Sequence, residues 1–267
     1  MKLFIVDECS QNWDEEIGFF VYGGIVIQEK DVIPTVKALL KIKKENGIDK
    51  SRALKCTNNE KVSEPALDIE LHKKIKDEVL KLVSSTDIKI IICLSPHVFY
   101  HVPRLKKDKT PYMAIDGDTQ RRSHEYGLND ALFKFNRLLS EGDELGMVLA
   151  DEFNEAFKSY MTDYCFDKFP NTSLDRIAYP VIQLKNEFSH LHQINDIILG
   201  AICFSLREMG HNFLPVIKDN FWGMNDKPTE VFYKGFTIFP EVAKYQHIRE
   251  AKRKIKEKFV RQCGISV

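Results

Sequence analysis

One pattern constrains this chain more than any other: a short apolar run closed by an acidic pair, met twice. LFIV at 3–6 ends in Asp7-Glu8, and MVLA at 147–150 ends in Asp151-Glu152. Runs this short and this uniformly apolar read as strands covered on both faces. A carboxylate at the end of such a strand must reach water, a partner or a ligand, because burying a lone charge is costly. In open α/β sheets the ligand sits outside the carboxyl ends of the strands. The pattern therefore predicts a sheet covered by helices, with acids gathered at one edge of its strand ends.

The rest of the chain fits that frame. FFVYGGIVI at 19–27 follows LFIV after a polar connection too short for a helical crossover, which predicts an antiparallel pair. Asp31 opens a helical pattern that Gly47 stops. ALKCT at 53–57 predicts a short third strand. Leu67, Leu71, Ile75, Val79 and Leu82 mark a helix over 67–85, and DIKIIICLS at 87–95 a buried strand. The stretch 96–111, with three prolines and a basic cluster, predicts an exposed loop. Helix resumes near Arg122 and runs to about Leu139. The strand ELGMVLADE follows, then a helix, a short strand over 177–184 and a strong helix over 190–208. A Gly/Asn/Pro-rich loop around 219–229 precedes a basic tail helix, REAKRKIKEKFVRQ. With no internal repeat or clear linker, residues 1–267 read as one α/β domain: a mixed sheet flanked by helices, with loop and C-terminal helical decorations.

Composition narrows the function classes. Lys+Arg and Asp+Glu both number 39, which argues against a binder that coats nucleic acid by net charge. The six cysteines form no C-x-x-C pair, and most sit in apolar strings such as IIC93L and AIC203F, as small buried thiols do. The N-terminus turns acidic too soon for a signal peptide, and no apolar run approaches the ~18–20 residues of a membrane span. These features predict a reduced, cytoplasmic protein with no membrane segment.

A third acid joins the two pairs. Asp196 lies in LHQINDIILGAICFSL, where Leu191, Ile194, Ile198 and Ala201 mark the buried face of a helix. It falls among Ile194, Ile197 and Ile198, a costly place for an unpaired carboxylate. Converging carboxylates repel one another, and a hard divalent cation, Mg²⁺ or Mn²⁺, is their ordinary compensation. Two such ions about 4 Å apart clamp the attacking water and leaving oxygen of a phosphodiester. The competing reading makes each acid a helix cap or a solvated loop residue.

Three motifs in order, FIVDECS with FFVYGGIVI, MVLADE, and QINDIILGA, resemble the domain-of-unknown-function family numbered 3800, whose members look like divergent RNase H-like nucleases. The resemblance spans Phe4 to about Leu206. Cys9 stands where the family usually has Ser, and Asn195 where it has Ala. A Glu-x-Lys element often follows the family's second strand; here RALKC offers Lys55 but has Ala53 in the Glu position. The resemblance implies an RNase H-like fold, a mixed sheet with an antiparallel start and helices on both faces. It also implies metal ligation by Asp7, Asp151 and Asp196, with Glu8 and Glu152 as helpers.

Other groups compete for attention. His97 with His101, or His190 with His192, could supply zinc ligands, but no cysteine pair or H-E-x-x-H completes a set. His192 precedes Asp196 by one helical turn and could act as a proton shuttle, or be a packed histidine. RLKKDK at 104–109, Arg121-Arg122 and KRKIKEK at 252–258 could track a phosphate backbone, with Tyr100, Tyr112 and Tyr126 stacking on bases, or be solvated charged faces. No phosphate-cradling glycine loop and no G-x-S-x-G elbow is present. Taken together the chain reads as a metal-dependent nuclease acting on DNA or RNA through Asp7, Glu8, Asp151, Glu152 and Asp196. The alternative is a catalytically silent module that binds nucleic acid or protein, in a phage-defence or mobile-element setting. The C-terminal basic helix offers a face for a second copy or a partner protein.

Overall fold

β1 (Lys2–Gln11) sits inside a six-stranded sheet, and the acidic residues at its carboxyl end owe their position to its neighbours. The computed structural model describes residues 1–11, 19–57, 66–96, 101–105, 109, 111–115, 117–151, 174–184, 189–206, 212–239 and 246–265. β1 pairs antiparallel with β2 (Phe19–Gln28), and β2 antiparallel with β3 (Lys89–Pro96). On its other side β1 runs parallel to β6 (Gly146–Asp151), which runs parallel to β7 (Ile177–Leu184). β8 (Phe236–Ile238) adds to β3 in parallel, giving the order β7-β6-β1-β2-β3-β8. The result is an α/β protein with a mixed sheet flanked by helices.

Strand alternation sorts the core into two layers. Phe4, Val6, Phe20 and Tyr22 face one way, against Leu128, Leu132 and Phe135 of α3 (Gly117–Glu141). The Phe4 and Phe135 rings lie 5.0 Å apart. Ile5, Val21 and Ile25 join the other layer, with residues of α1 (Glu29–Glu45), α2 (Ile69–Ser84) and α4 (His190–Leu206). Each large apolar side chain so covered contributes about 1.5–3 kcal/mol. After α4 come a single helical turn, α5 (Leu214–Ile217), and α6 (Gln246–Cys263). α6 buries Ile248, Ala251, Ile255 and Phe259, and stacks Phe259 on Phe236 at 4.1 Å.

α4 is buried almost all round, more completely than a one-faced apolar pattern predicts. It approaches the β1–β2 seam closely at Gly24. A Cβ there would lie 2.5 Å from Asn195 Oδ1 and 1.9 Å from the Ile5 carbonyl oxygen. Glycine at that position lets α4 lie against the carboxyl end of β1.

Several expectations need correction. Residues 53–57 form no strand; their backbone groups bond to side chains of α4 and α2 instead of to a neighbouring strand. The stretch 96–111 is not simply a loop, because β4 (His101–Leu105) pairs antiparallel with β5 (Pro111–Ile115). β8 is not among the expected strands. α3 begins at Gly117, ahead of Arg122. Among the described residues no helix is long and apolar enough to cross a membrane.

Candidate functional site

The β1–β6 register ends at Val6 opposite Ala150. Asp7 and Asp151 are each the next residue, so the two stand at matching positions on neighbouring parallel strands and leave the same face of the sheet. That face is the one Ile5 presents, beneath α4. Asp7 is only 8% exposed, and its Oδ1 accepts the Glu8 N–H at 2.7 Å. Burial pushes its carboxyl well above the ordinary range, and the charges of Asp151 and Asp196 push the same way. The Glu8 N–H and Lys55 oppose that push without cancelling it. Glu8 is raised too, by burial and then by Asp151.

Asp196 reaches the same place from α4. The Cys56 N–H donates to its Oδ2 at 2.5 Å, and the Lys55 ammonium lies 3.7 Å from its Oδ1. Burial raises its pKa, against the pull of Lys55 and the Cys56 N–H. The 53–57 loop that brings these partners is fixed at several points. The Leu54 N–H donates to Gln193 Oε1 at 3.2 Å, and His72 Nε2 lies 2.9 Å from the Lys55 carbonyl oxygen. Gly200 makes room for it: a Cβ there would fall 2.0 Å from Cys56 Sγ.

Asp7, Glu8, Cys9, Cys56, Asp196 and Phe204 are among the residues that line a cavity of about 60 Å³. A water needs roughly 10–15 Å³ measured this way, so the space suits an ion with water rather than an organic molecule. Burial pushes the Cys56 thiol up to about 11, so it is protonated at neutral pH. Lys76 closes the back of the loop. Its ammonium donates to the Cys56 carbonyl at 3.4 Å and stands over the rings of Phe204 and Phe213, 4.8 and 5.2 Å from their centres. A wider groove of about 630 Å³ lies between α1 and the end of α2. The hydroxyls of Ser84, Ser85 and Thr86 beside it donate to the carbonyls of Lys81, Leu82 and Val83, so they do not converge on the groove with Asp31 and Asp87.

Asp7, Asp151 and Asp196 therefore come within electrostatic reach of one another, and Glu8 lines the cavity with Asp7 and Asp196. Glu152 lies outside the described residues. His192 is wholly buried. Its ring lies near Asp151 and the Leu149–Ala150 backbone, without a hydrogen bond of good geometry, and burial lowers its pKa. Among the described residues no three His, Cys, Asp or Glu side chains stand together as a ready metal-ligand set. Tyr126 stacks on Phe239 with ring centres 3.9 Å apart, which occupies the face offered to a base. The KRKIKEK segment is an amphipathic helix face whose Arg253 pairs with Glu257 at 2.8 Å.

Sequence reasoning passed over the partners of Asp196. RALKC held the signal in Lys55, but the segment reads as a strand, and nothing local ties it to a helix 140 residues away. Compared with known proteins, the chain matches no family model, no curated protein and no solved structure.

Proposed function

We propose that this chain is an RNase H-like, Mg²⁺- or Mn²⁺-dependent phosphodiesterase of the cytoplasm that cleaves nucleic acid, akin to domain-of-unknown-function family 3800. The observation that carries the reading is the approach of Asp7, Asp151 and Asp196 from β1, β6 and α4, with Asp7 and Asp196 lining one small cavity. An antiparallel start, a parallel neighbour for the first strand and an acid on a later helix are the parts that an RNase H-like plan requires, which supports the fold reading.

The residues fit a hard cation by chemistry. Their donors are carboxylate oxygens, and the Lys55 ammonium, 3.7 Å from Asp196, offsets part of their mutual repulsion. Bound there, a divalent cation would activate water and neutralise the charge that develops on the phosphate. The chain's own contribution is orientation. The Glu8 N–H fixes Asp7 and the Cys56 N–H fixes Asp196, while α4 and β1 shut bulk water out beneath them. His192, neutral and buried near Asp151, packs the inner side of the site. The carboxylates must turn toward one another to share an ion, since they do not stand at ligand spacing.

That last observation favours a second reading, a silent module that binds nucleic acid or a partner protein through the same surface. Incubating the chain with single- and double-stranded DNA and RNA in Mn²⁺, with chelator and Asp7→Asn as controls, separates the two. Cleavage that needs both the ion and Asp7 supports the phosphodiesterase. Binding without cleavage on every substrate sinks it in favour of the module.

A further inference from the structure

We propose that Lys55 is the built-in counter-cation of the acidic site, which a divalent ion displaces from Asp196 on binding. The inference rests on the metal reading above. The Lys55 ammonium lies 3.7 Å from Asp196 Oδ1, and its side chain is 34% exposed, enough to leave without opening the core. The backbone around it stays where it is. The Leu54 N–H is held by Gln193, the Lys55 carbonyl by His72 and the Cys56 N–H by Asp196 itself. Displacement moves one flexible four-carbon stem and leaves the carboxylates to turn toward the ion, with no shift of the loop backbone.

The charge balance gives the reason. Asp7, Glu8 and Asp196 line one cavity, with Asp151 on the neighbouring strand, and the Lys55 ammonium stands against Asp196. A single ammonium meets one carboxylate; a divalent ion can take oxygens from several. Both claim Asp196, so each must weaken the other's hold, and that coupling is reciprocal. In the metal-free chain Asp196 is engaged by Lys55 and the Cys56 N–H. Once freed, the ammonium stands at the rim of the cavity as a mobile point charge, suited to a phosphate oxygen.

Calorimetric titration of Mn²⁺ into the full chain, K55Q, K55A and K55R tests this, with thermal midpoints of the metal-free proteins measured beside it. K55Q and K55A are expected to bind Mn²⁺ at least about fivefold more tightly than wild type, a coupling at the modest end of the usual range. Their metal-free midpoints should be lower and their gain on saturation larger, while K55R returns to the wild-type affinity. Binding by K55Q with none by wild type would be the same displacement in its extreme form. Wild type that binds, with K55Q and K55A binding equally or more weakly, overturns the displacement and leaves the metal reading standing. No binding by any of the four overturns the metal reading and this inference with it. The two lysine-removing variants differ in volume, so the outcome does not hang on one of them folding.

Discussion

The two ends of β1 handle charge in opposite ways. At the amino end a single carboxylate, Glu144, collects donors: Lys2 at 3.0 Å, Gln28 Nε2 at 2.9 and 3.0 Å, and the N-terminal ammonium at 3.7 Å. Because Lys2 is on β1, Gln28 ends β2 and Glu144 precedes β6, this clasp ties three strands together. Burial raises Glu144, but hydrogen bonds from Gln28 and Lys2 outweigh it and hold the carboxyl below its usual range. The carboxyl end does the reverse. Asp7, Asp151 and Asp196 gather with the Lys55 ammonium against one of them, and Asp7 and Asp196 are pushed up. On the reading proposed above, the matched cluster holds structure and the mismatched one takes the cation. The mismatched cluster is the one suited to chemistry.

The sharpest way to break the comparison is Asp7→Asn. Cleavage should fall by at least about a hundredfold, as when a group acting on transition-state charge is removed. The thermal midpoint of the metal-free protein should be unchanged or higher, because a repelling buried charge has gone. A cleavage assay and a thermal melt on the same preparation read both; a large drop in midpoint would make Asp7 structural. Next in size is Gly24→Val. The added side chain meets the Ile5 carbonyl and Asn195, and the overpacking should cost about 3 kcal/mol, read by denaturant unfolding. Gly200→Val should cost about 1–3 kcal/mol by the same measurement, and loosen the 53–57 loop through Cys56.

The pH dependence separates the ends by sign. Asp7 has a raised pKa in the folded chain, so its share of stability is full below the ordinary carboxylate value of about 4 and is lost as pH rises above it. Glu144 has a lowered pKa, so its share is full above about 4.5 and is lost as pH falls. In metal-free protein the stability gap between wild type and Asp7→Asn should therefore widen in the mutant's favour toward neutral pH. The gap between wild type and Glu144→Gln should be smaller, under about 1 kcal/mol at pH 7, and close on acidification. Denaturant midpoints between pH 3 and 8, with chelator present, measure both. Parallel curves for the two variants would erase the distinction between the ends.

The carboxyl end was the more legible of the two. Strand-end acids announce themselves where an apolar run stops, and Asp196 stands out among isoleucines, so all three acids could be picked without a structure. Their partners could not. Lys55 and Cys56 find Asp196 across 140 residues, and side-chain bonds to α4 replaced the strand pairing that the apolar residues of ALKCT suggested. Prolines and lysines made 96–111 read as open loop, yet β4 and β5 pair there. β8 is three residues long, too short to show a period. The central strands and long helices were readable because each carries enough apolar residues to set its own register.

The parallel pairing of β1 with β6 has a consequence for how the chain is made. β1, β2 and β3 pair antiparallel, with α1 and α2 between β2 and β3, and all of this precedes residue 97, in keeping with the N-terminal-first order in which domains tend to fold. Through that interval one side of β1 waits for a strand that begins only at Gly146, and Asp7 remains in water with no rival charge from β6 beside it. Asp151 and then Asp196 arrive only after most of the sheet exists. Nascent chains thus meet their worst electrostatic conflict late, on the same helix whose apolar residues complete the core over it.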